Sequence, residues 1–375
     1  MFELRVLWKM YRERYASSNL KVLSWNSCFP VEDLIDISSS YDALESISLD
    51  WTKDDYALQS EHLEAIFQVT PKLSNLHIRV RFSKGDFTPI LERLLQRISP
   101  NTMCSVILEG IPLSIEALLA SLYHHHRQSL NRLEFVGYNF QSISLDVLTR
   151  FPKLRCVSLA SSRGINDSKL QQICKCARLQ DIDISKTDVT LSGLSSLVKC
   201  VGSQLRYLRL NQLSMNIPKG LEVISEHCSE LTCLELRRTV YDCHLIPQLI
   251  LCCPKLELLY LGDEVGNLPS SIDNMVKGIF RSGNKLKFLD LGYCHLTFSV
   301  LPLMMLKTKL NIVGPVRCVG VELESLPGKN ASHESDGRLS GITADIYYDN
   351  SKGLELPVAI FPPTFFTKPY RAQFQ

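Results

Sequence analysis

The chain has 375 residues, 45% of them hydrophobic, and its 41 Lys and Arg against 39 Asp and Glu leave a formal charge of +2. That balance argues against bulk attraction to nucleic acid or to an acidic membrane, and no apolar run approaches the roughly 18 residues needed to cross a bilayer. Thirteen cysteines, an odd number in a long chain with no export signal, read as buried or free thiols in a reducing compartment rather than as a disulfide framework.

In chain order, "MFELRVLWKMYRERYASSN" comes first, charged throughout and without the apolar core of a secretory signal. Its stripe Leu4, Leu7, Tyr11 and Tyr15 predicts an amphipathic helix over 1–19 that caps the next segment of the chain. From Leu20 a hexapeptide Leu-x-x-Leu-x-Leu, with other apolar residues as substitutes, begins to recur. It starts at Leu20, Leu44, Leu73, Met103, Leu130 and Leu154, then at Leu179, Leu205, Leu231, Leu256 and Leu286, with a decayed copy "LNIV" from Leu310. One copy in a Leu-rich chain means nothing. About twelve, 24 to 30 residues apart, are the mark of a solenoid.

The units share more than leucines. Three residues past the last strand leucine stand Cys28, Ser162, Thr187, Thr239 and Cys294, small side chains able to tuck inward and bond a turning backbone. Three residues ahead of the first leucine stand Cys176, Cys228 and Cys253. Between the predicted strands lie helix-like stretches. "INDSKLQQICKCARL" offers Asp167 or Ser168 as N-cap with Leu170 and Ile173 at helical spacing, and "PKGLEVISEHCSEL" repeats this with Leu221 and Ile224.

"LASSRGINDSKLQQICKCARL" and "CCPKLELLYL" resemble the cysteine-containing leucine-rich repeats of the F-box/LRR proteins, whose unit runs Leu-x-x-Leu-x-Leu-x-x-Cys, Ile-Thr-Asp, a short helix and Cys-Pro-x-Leu. The resemblance covers residues 18 to 314. It implies an α/β leucine-rich-repeat solenoid, a horseshoe with a parallel concave sheet and convex helices. It also implies substrate recognition for an SCF-type cullin-RING ubiquitin ligase, in the cytoplasm or nucleus, as a monomer within a larger complex. In that scheme an F-box docks the cullin adaptor. Here the first repeat starts at about residue 20 and no Leu-Pro-x-Glu opening is present. Either the chain is an isoform or fragment lacking the box, or it is a stand-alone scaffold or inhibitor with no role in ubiquitination.

Side chains alternate along a strand, so the residues flanking the middle leucine line the concave face. The candidate partner-binding residues are Asp181, Asp183, Tyr207, Arg209, Asn211, Glu235, Arg237, Leu258, Tyr260, Phe288 and Asp290, with Ser185, Cys233, Gly262 and Gly292 beside them. Aromatic and arginine residues of this kind anchor protein interfaces. The early units look blander, with Ser24, Ser46 and Ser48. "YHHHRQ" reads as an exposed helix end, since adjacent helical histidines cannot share one metal ion. Cys174 with Cys176, and Cys252 with Cys253, lack zinc-knuckle spacing. No P-loop, G-x-S-x-G or dinucleotide turn is present, so a protein partner is expected, with no cofactor, metal or nucleic acid. Residues 315–375 form an extension, polar and Gly/Ser-rich at "LPGKNASHESDGRLSG" and then aromatic and Pro-rich, which either docks back on the horseshoe or stays disordered.

Overall fold

The computed structural model describes residues 21–26, 43–51, 58–67, 70–213, 218–262, 272–282, 285–291, 295–296, 300, 311–313, 316–318, 347–349 and 353–356. The expected capping helix over 1–19, Cys28, Gly292, Cys294 and the stretches 326–341 and 357–375 lie outside the described residues. The chain forms two compact units, 1–189 and 190–375.

In the first unit the order is β1 (Val22–Asn26), β2 (Ser46–Trp51), β3 (Leu58–Gln59), α1 (Ser60–Phe67), β4 (Asn75–Val80), β5 (Ser83–Lys84), α2 (Thr88–Arg97) and β6 (Ser105–Glu109). Then come α3 (Ile115–His126), β7 (Arg132–Val136), a 3-10 turn (Asp146–Arg150), β8 (Cys156–Ser158), α4 (Asp167–Ile173) and β9 (Asp181–Asp183). Strands β1, β2, β4, β6, β7, β8 and β9 pair in that order, all parallel, while β3 and β5 make a separate small pair. Each sheet strand starts two residues after the first leucine of its hexapeptide.

The second unit continues with α5 (Leu191–Val201), β10 (Tyr207–Arg209), α6 (Pro218–His227), β11 (Cys233–Glu235), α7 (Ile246–Cys252), β12 (Leu258–Tyr260), α8 (Asp273–Arg281) and β13 (Phe288–Asp290). After β13 come β14 (His295–Leu296), β15 (Asn311–Val313), β16 (Val316–Cys318), β17 (Tyr347–Asp349) and β18 (Gly353–Leu356). Strands β10 to β13 and β15 are parallel neighbours, so even the decayed "LNIV" copy supplies a strand. Strands β14, β16, β18 and β17 form a second, four-stranded sheet. Alternating strands and helices with an all-parallel main sheet in each unit make this the leucine-rich-repeat solenoid expected from the hexapeptide period.

The register explains why the motif needs its leucines. Ile47, Leu76, Val106, Leu133, Val157 and Ile182 are direct partners along the first unit, and each is at most 2% exposed. Leu208, Leu234, Leu259 and Leu289 form the matching row in the second. Period-two alternation sends one set of side chains into the core. The first leucine of the hexapeptide is buried too, as at Leu44, Leu179 and Leu231.

At the ends of β6 to β11 the chain turns through the left-handed region at one fixed repeat position. Gly110 (φ 79°), Gly137 (φ 83°), Ser161 (φ 58°), Lys186 (φ 56°), Gln212 (φ 55°) and Arg238 (φ 55°) all stand seven residues after their first leucine. After Ser161, Lys186 and Arg238 the next residue's hydroxyl stabilises that turn. Thr239 Oγ1 donates to Leu210 O of the preceding repeat at 2.6 Å and accepts from Leu213 N at 3.4 Å. Ser162 Oγ repeats the pattern with Phe135 O at 3.2 Å and Tyr138 N at 3.1 Å. Thr187 Oγ1 donates to Ile184 O at 2.6 Å. These are the inward small side chains expected from the sequence, and Ser162 and Thr239 join one repeat to the next.

The cysteines three residues before the first leucine are core groups. Cys176, Cys228 and Cys253 are buried, and the carbonyls of Cys228 and Cys253 accept the amides of Leu231 (3.1 Å) and Leu256 (3.0 Å). Burial pushes the Cys176 thiol up to about 11 and those of Cys228 and Cys253 up to about 12. One helix start differs from expectation. Asn166, not Asp167 or Ser168, caps α4, its Oδ1 accepting from Lys169 N at 3.2 Å. An Asn one residue earlier fits the cap because its carbonyl oxygen reaches the third helical amide from extended backbone.

Candidate functional site

The strands of the second unit bring the expected face residues together in one hydrogen-bonded network. Outward positions fall on neighbouring strands because the register is unbroken from β10 to β13: Arg209 lies beside Glu235, Glu235 beside Tyr260, and Tyr260 beside Asp290. Arg209 Nε stands 3.3 Å from Glu235 Oε1, and Asn211 Nδ2 donates to Glu235 Oε2 at 2.8 Å. Asn211 Oδ1 in turn accepts from Arg237 N at 2.8 Å. Arg237 then grips Asp290 through Nε (2.6 Å) and Nη2 (2.5 Å) while its guanidinium lies 4.5 Å from the centroid of the Tyr260 ring. Tyr260 packs on Phe288, ring centroids 4.9 Å apart.

This network changes the roles of some expected residues. Tyr260 (7% exposed) and Asp290 (6%) are buried beneath Arg237 and Phe288, and Asp181 (4%) is equally buried in the first unit. They position neighbours rather than present themselves. Tyr207, Arg209, Asn211, Glu235, Arg237, Leu258 and Phe288 remain partly accessible, as does Asp183, whose Oδ1 accepts from Ser185 N at 3.0 Å. Cys233 is wholly buried, and Ser185 and Gly262 are also covered.

The first unit is less bland than its serines suggest. Applying the same flanking rule to the copies at Leu73, Met103, Leu130 and Leu154 marks His77, Arg79, Glu109, Arg132, Glu134 and Cys156. The structure pairs them across strands and, for Arg132 with Glu134, along one. Ser48 Oγ and His77 Nδ1 are 2.8 Å apart, and Arg79 Nε donates to Glu109 Oε2 at 2.6 Å. Arg132 meets Glu134 at 2.5 Å and lies 3.9 Å from Asp181, whose Oδ2 accepts from the Cys156 thiol at 3.2 Å. Burial opposes the Arg132 charge, but Cys156, Glu134 and Asp181 outweigh it, and the guanidinium holds its proton above the ordinary arginine range.

The histidine run needs a correction. His124 is exposed, but His126 is fully buried at the end of α3, its Nε2 2.9 Å from Leu95 O and its Nδ1 accepting from Met103 N at 3.4 Å. Helical spacing turns it inward, about 100° from His125, so it joins α3 to the end of α2. Burial, partly opposed by the bond to Leu95 and assisted by His125, lowers its pKa.

Other groups among the described residues offer ligand donors or open space. Asp242, Cys243 and His244 have donor atoms within 4.8 Å of one another, but they are consecutive residues closing a turn in which Asp242 Oδ1 accepts from His244 N at 2.9 Å. An open pocket of about 520 Å³ is lined by Gln141, Arg163, Gly164, Asn166, Ser168, Lys169 and Asp188. Its Lys169 ammonium is already committed to Ile143 O. Among the described residues no helix is long and apolar enough to cross a membrane.

No family model matches the chain, and no curated protein matches it. Solved structures do. A chain in the crystal structure of the Rad7 and Elc1 complex in yeast aligns with a TM-score of 0.51 at 14% identity, covering 76% of this chain and 79% of that one. An internalin (inlF) from Listeria monocytogenes aligns at TM-score 0.42 and 15% identity over 82% of this chain and 90% of its own. At such identities the first likeness concerns fold alone, and it agrees with the repeat architecture built from the hexapeptides.

Proposed function

We propose that this solenoid is a protein-recognition module whose partner docks on the strand face of residues 190–375. The observation that carries this is the Arg209–Glu235–Asn211–Arg237–Asp290 network with Tyr260 and Phe288. It fixes two arginines, a carboxylate and an aromatic ring on adjacent strands at little further entropic cost, which is how interface anchors are held ready. Open sheet positions of this kind suit gripping a macromolecule rather than enclosing a small substrate. The finer reading is substrate recognition for an SCF-type cullin-RING ubiquitin ligase. The repeat's resemblance to the F-box/LRR proteins supports it. A fold neighbour crystallised as a complex with Elc1 is consistent with a life in assemblies.

The test is capture from cells. Recovery of the cullin adaptor with the chain supports the ligase reading, whereas recovery of another protein without the adaptor supports a stand-alone scaffold. Tyr207→Ala with Phe288→Ala removes two partly exposed rings and is expected to abolish capture with little change in melting temperature. Retained capture moves the site off this face. Tyr260→Ala is a poor probe, because its ring is packed between Arg237 and Phe288.

A further inference from the structure

A second surface lies not on the strand face but along the turns that lead into β7, β8 and β9. These turns, 124–131, 149–155 and 174–180, contain no Asp or Glu. They do contain Arg127, Arg150, Lys153, Arg155, Lys175 and Arg178. Backbone bonds place them side by side: Arg155 N donates to Asn131 O at 2.8 Å, and Gln180 N donates to Arg155 O at 2.8 Å. Successive turns are thus about one strand spacing apart, roughly 4.8 Å.

The six cations differ in their engagements. Lys175 pairs with Asp146 at 3.2 Å, and the guanidinium carbons of Arg127 and Arg150 lie 5.6 and 5.7 Å from the Tyr123 ring centroid. Lys153, Arg155 and Arg178 are exposed and have no ion-pair partner among the described residues. The Lys153 charge also opposes, in part, the rise that burial gives the Cys104 thiol. At three other repeats a lysine next to the first leucine is met by a glutamate one repeat away: Lys21 meets Glu45 at 2.8 Å, Lys255 meets Glu230 at 2.5 Å and Lys287 meets Glu257 at 2.8 Å.

We propose that this uncompensated edge, centred on Lys153, Arg155 and Arg178, binds an acidic segment of a partner protein. Charge complementarity supports this: two planar guanidinium forks and an ammonium suit a short run of carboxylates. The patch is compact rather than a long track, and Tyr123, the aromatic beside it, is already engaged by Arg127 and Arg150 instead of being offered to a base.

The experiment is fluorescence anisotropy of the full chain with a labelled, unstructured peptide of about twelve alternating Asp and Glu residues. Binding is expected at about 50 mM salt and at least about tenfold weaker at 300 mM, as screening requires. Lys153→Glu with Arg155→Glu and Arg178→Glu is expected to weaken it more than about tenfold. The control Lys199→Glu with Lys219→Glu, two exposed lysines elsewhere, is expected to stay within about twofold. The triple change to Gln keeps the test valid should charge reversal upset folding, and it too is expected to lose most binding with an unchanged circular dichroism spectrum. Three results overturn the proposal: peptide binding untouched by both triple variants, equal loss in the control, or tighter binding of a DNA duplex of equal charge that the same variants abolish.

Discussion

In residues 190–375, Lys255 and Lys287 are each met by a glutamate one repeat away, whereas in residues 21–189 the matching turns before β8 and β9 carry Lys153, Arg155 and Arg178 with no carboxylate among them. The strand faces do not differ in this way. Both units pair their face charges across strands, Arg79 with Glu109 and Arg132 with Asp181 in one, Arg209 with Glu235 and Arg237 with Asp290 in the other. Parallel, in-register stacking turns each repeat position into a column, so one carboxylate per repeat quenches a column and its omission over successive repeats adds up. Charge on a solenoid is thus set column by column, and a small net charge for the whole chain conceals a local excess.

Substitutions can break or sharpen this comparison. The largest effect is expected at the strand exits. Gly110→Ala would put a Cβ 1.9 Å from Val80 O at φ 79°, while at Gly137 the same atom meets nothing within 4 Å. Gly110→Ala should cost about 4 kcal/mol from overpacking plus left-handed strain, and Gly137→Ala only about 1 kcal/mol. Urea unfolding of both variants checks the difference. Next is Arg237→Ala, which leaves the Asp290 carboxylate buried without its guanidinium. With Arg237 partly exposed, a loss of about 2 kcal/mol in urea unfolding is expected.

The edge pairs should matter far less to stability. Lys255→Ala is expected to cost under about 0.5 kcal/mol, and Arg155→Gln to be neutral or slightly stabilising at low salt, with both differences vanishing in high salt. If Arg155→Gln destabilises as Lys255→Ala does, the two edges are alike and the comparison fails. The last prediction concerns pH and involves only the first unit. His126 has a folded pKa below its ordinary value, so the unfolded chain binds a proton that the folded one refuses. Its stabilising contribution is full above about pH 6.5 and is lost as pH falls through the depressed folded value. Urea midpoints between pH 8 and pH 5 should fall less steeply in His126→Gln than in the parent.

The fold is legible in the sequence because its signal is redundant. Every copy from Leu20 to Leu310 supplies a strand, and even the "LNIV" remnant pairs in register with β13. The small residues Ser162, Thr187 and Thr239 and the cysteines 176, 228 and 253 are equally readable, since their repeat position decides their burial. Less legible is which face residues stay accessible. Alternation places Tyr260 and Asp290 on the outward side, but their burial comes from Arg237 and Phe288, a contact between side chains that period alone does not specify. His126 escapes a reading of the sequence for a similar reason: three adjacent histidines look alike, and only the helix phase separates the inward one. The Arg79–Glu109 and Arg132–Glu134 pairs are within reach, since the flanking rule need only be carried into the earlier copies.

The buried thiols have one practical consequence. Cys176, Cys228 and Cys253 sit at one position in successive or near-successive repeats, and their raised pKa values keep them almost wholly protonated at neutral pH. Cys200 and Cys252, by contrast, face solvent. An alkylating reagent would mark the exposed pair at once and each hidden sulfur only when its own rung of the ladder comes apart. Mass spectrometry of the time course would then give an address-resolved clock of fraying along the chain, with no engineered probe.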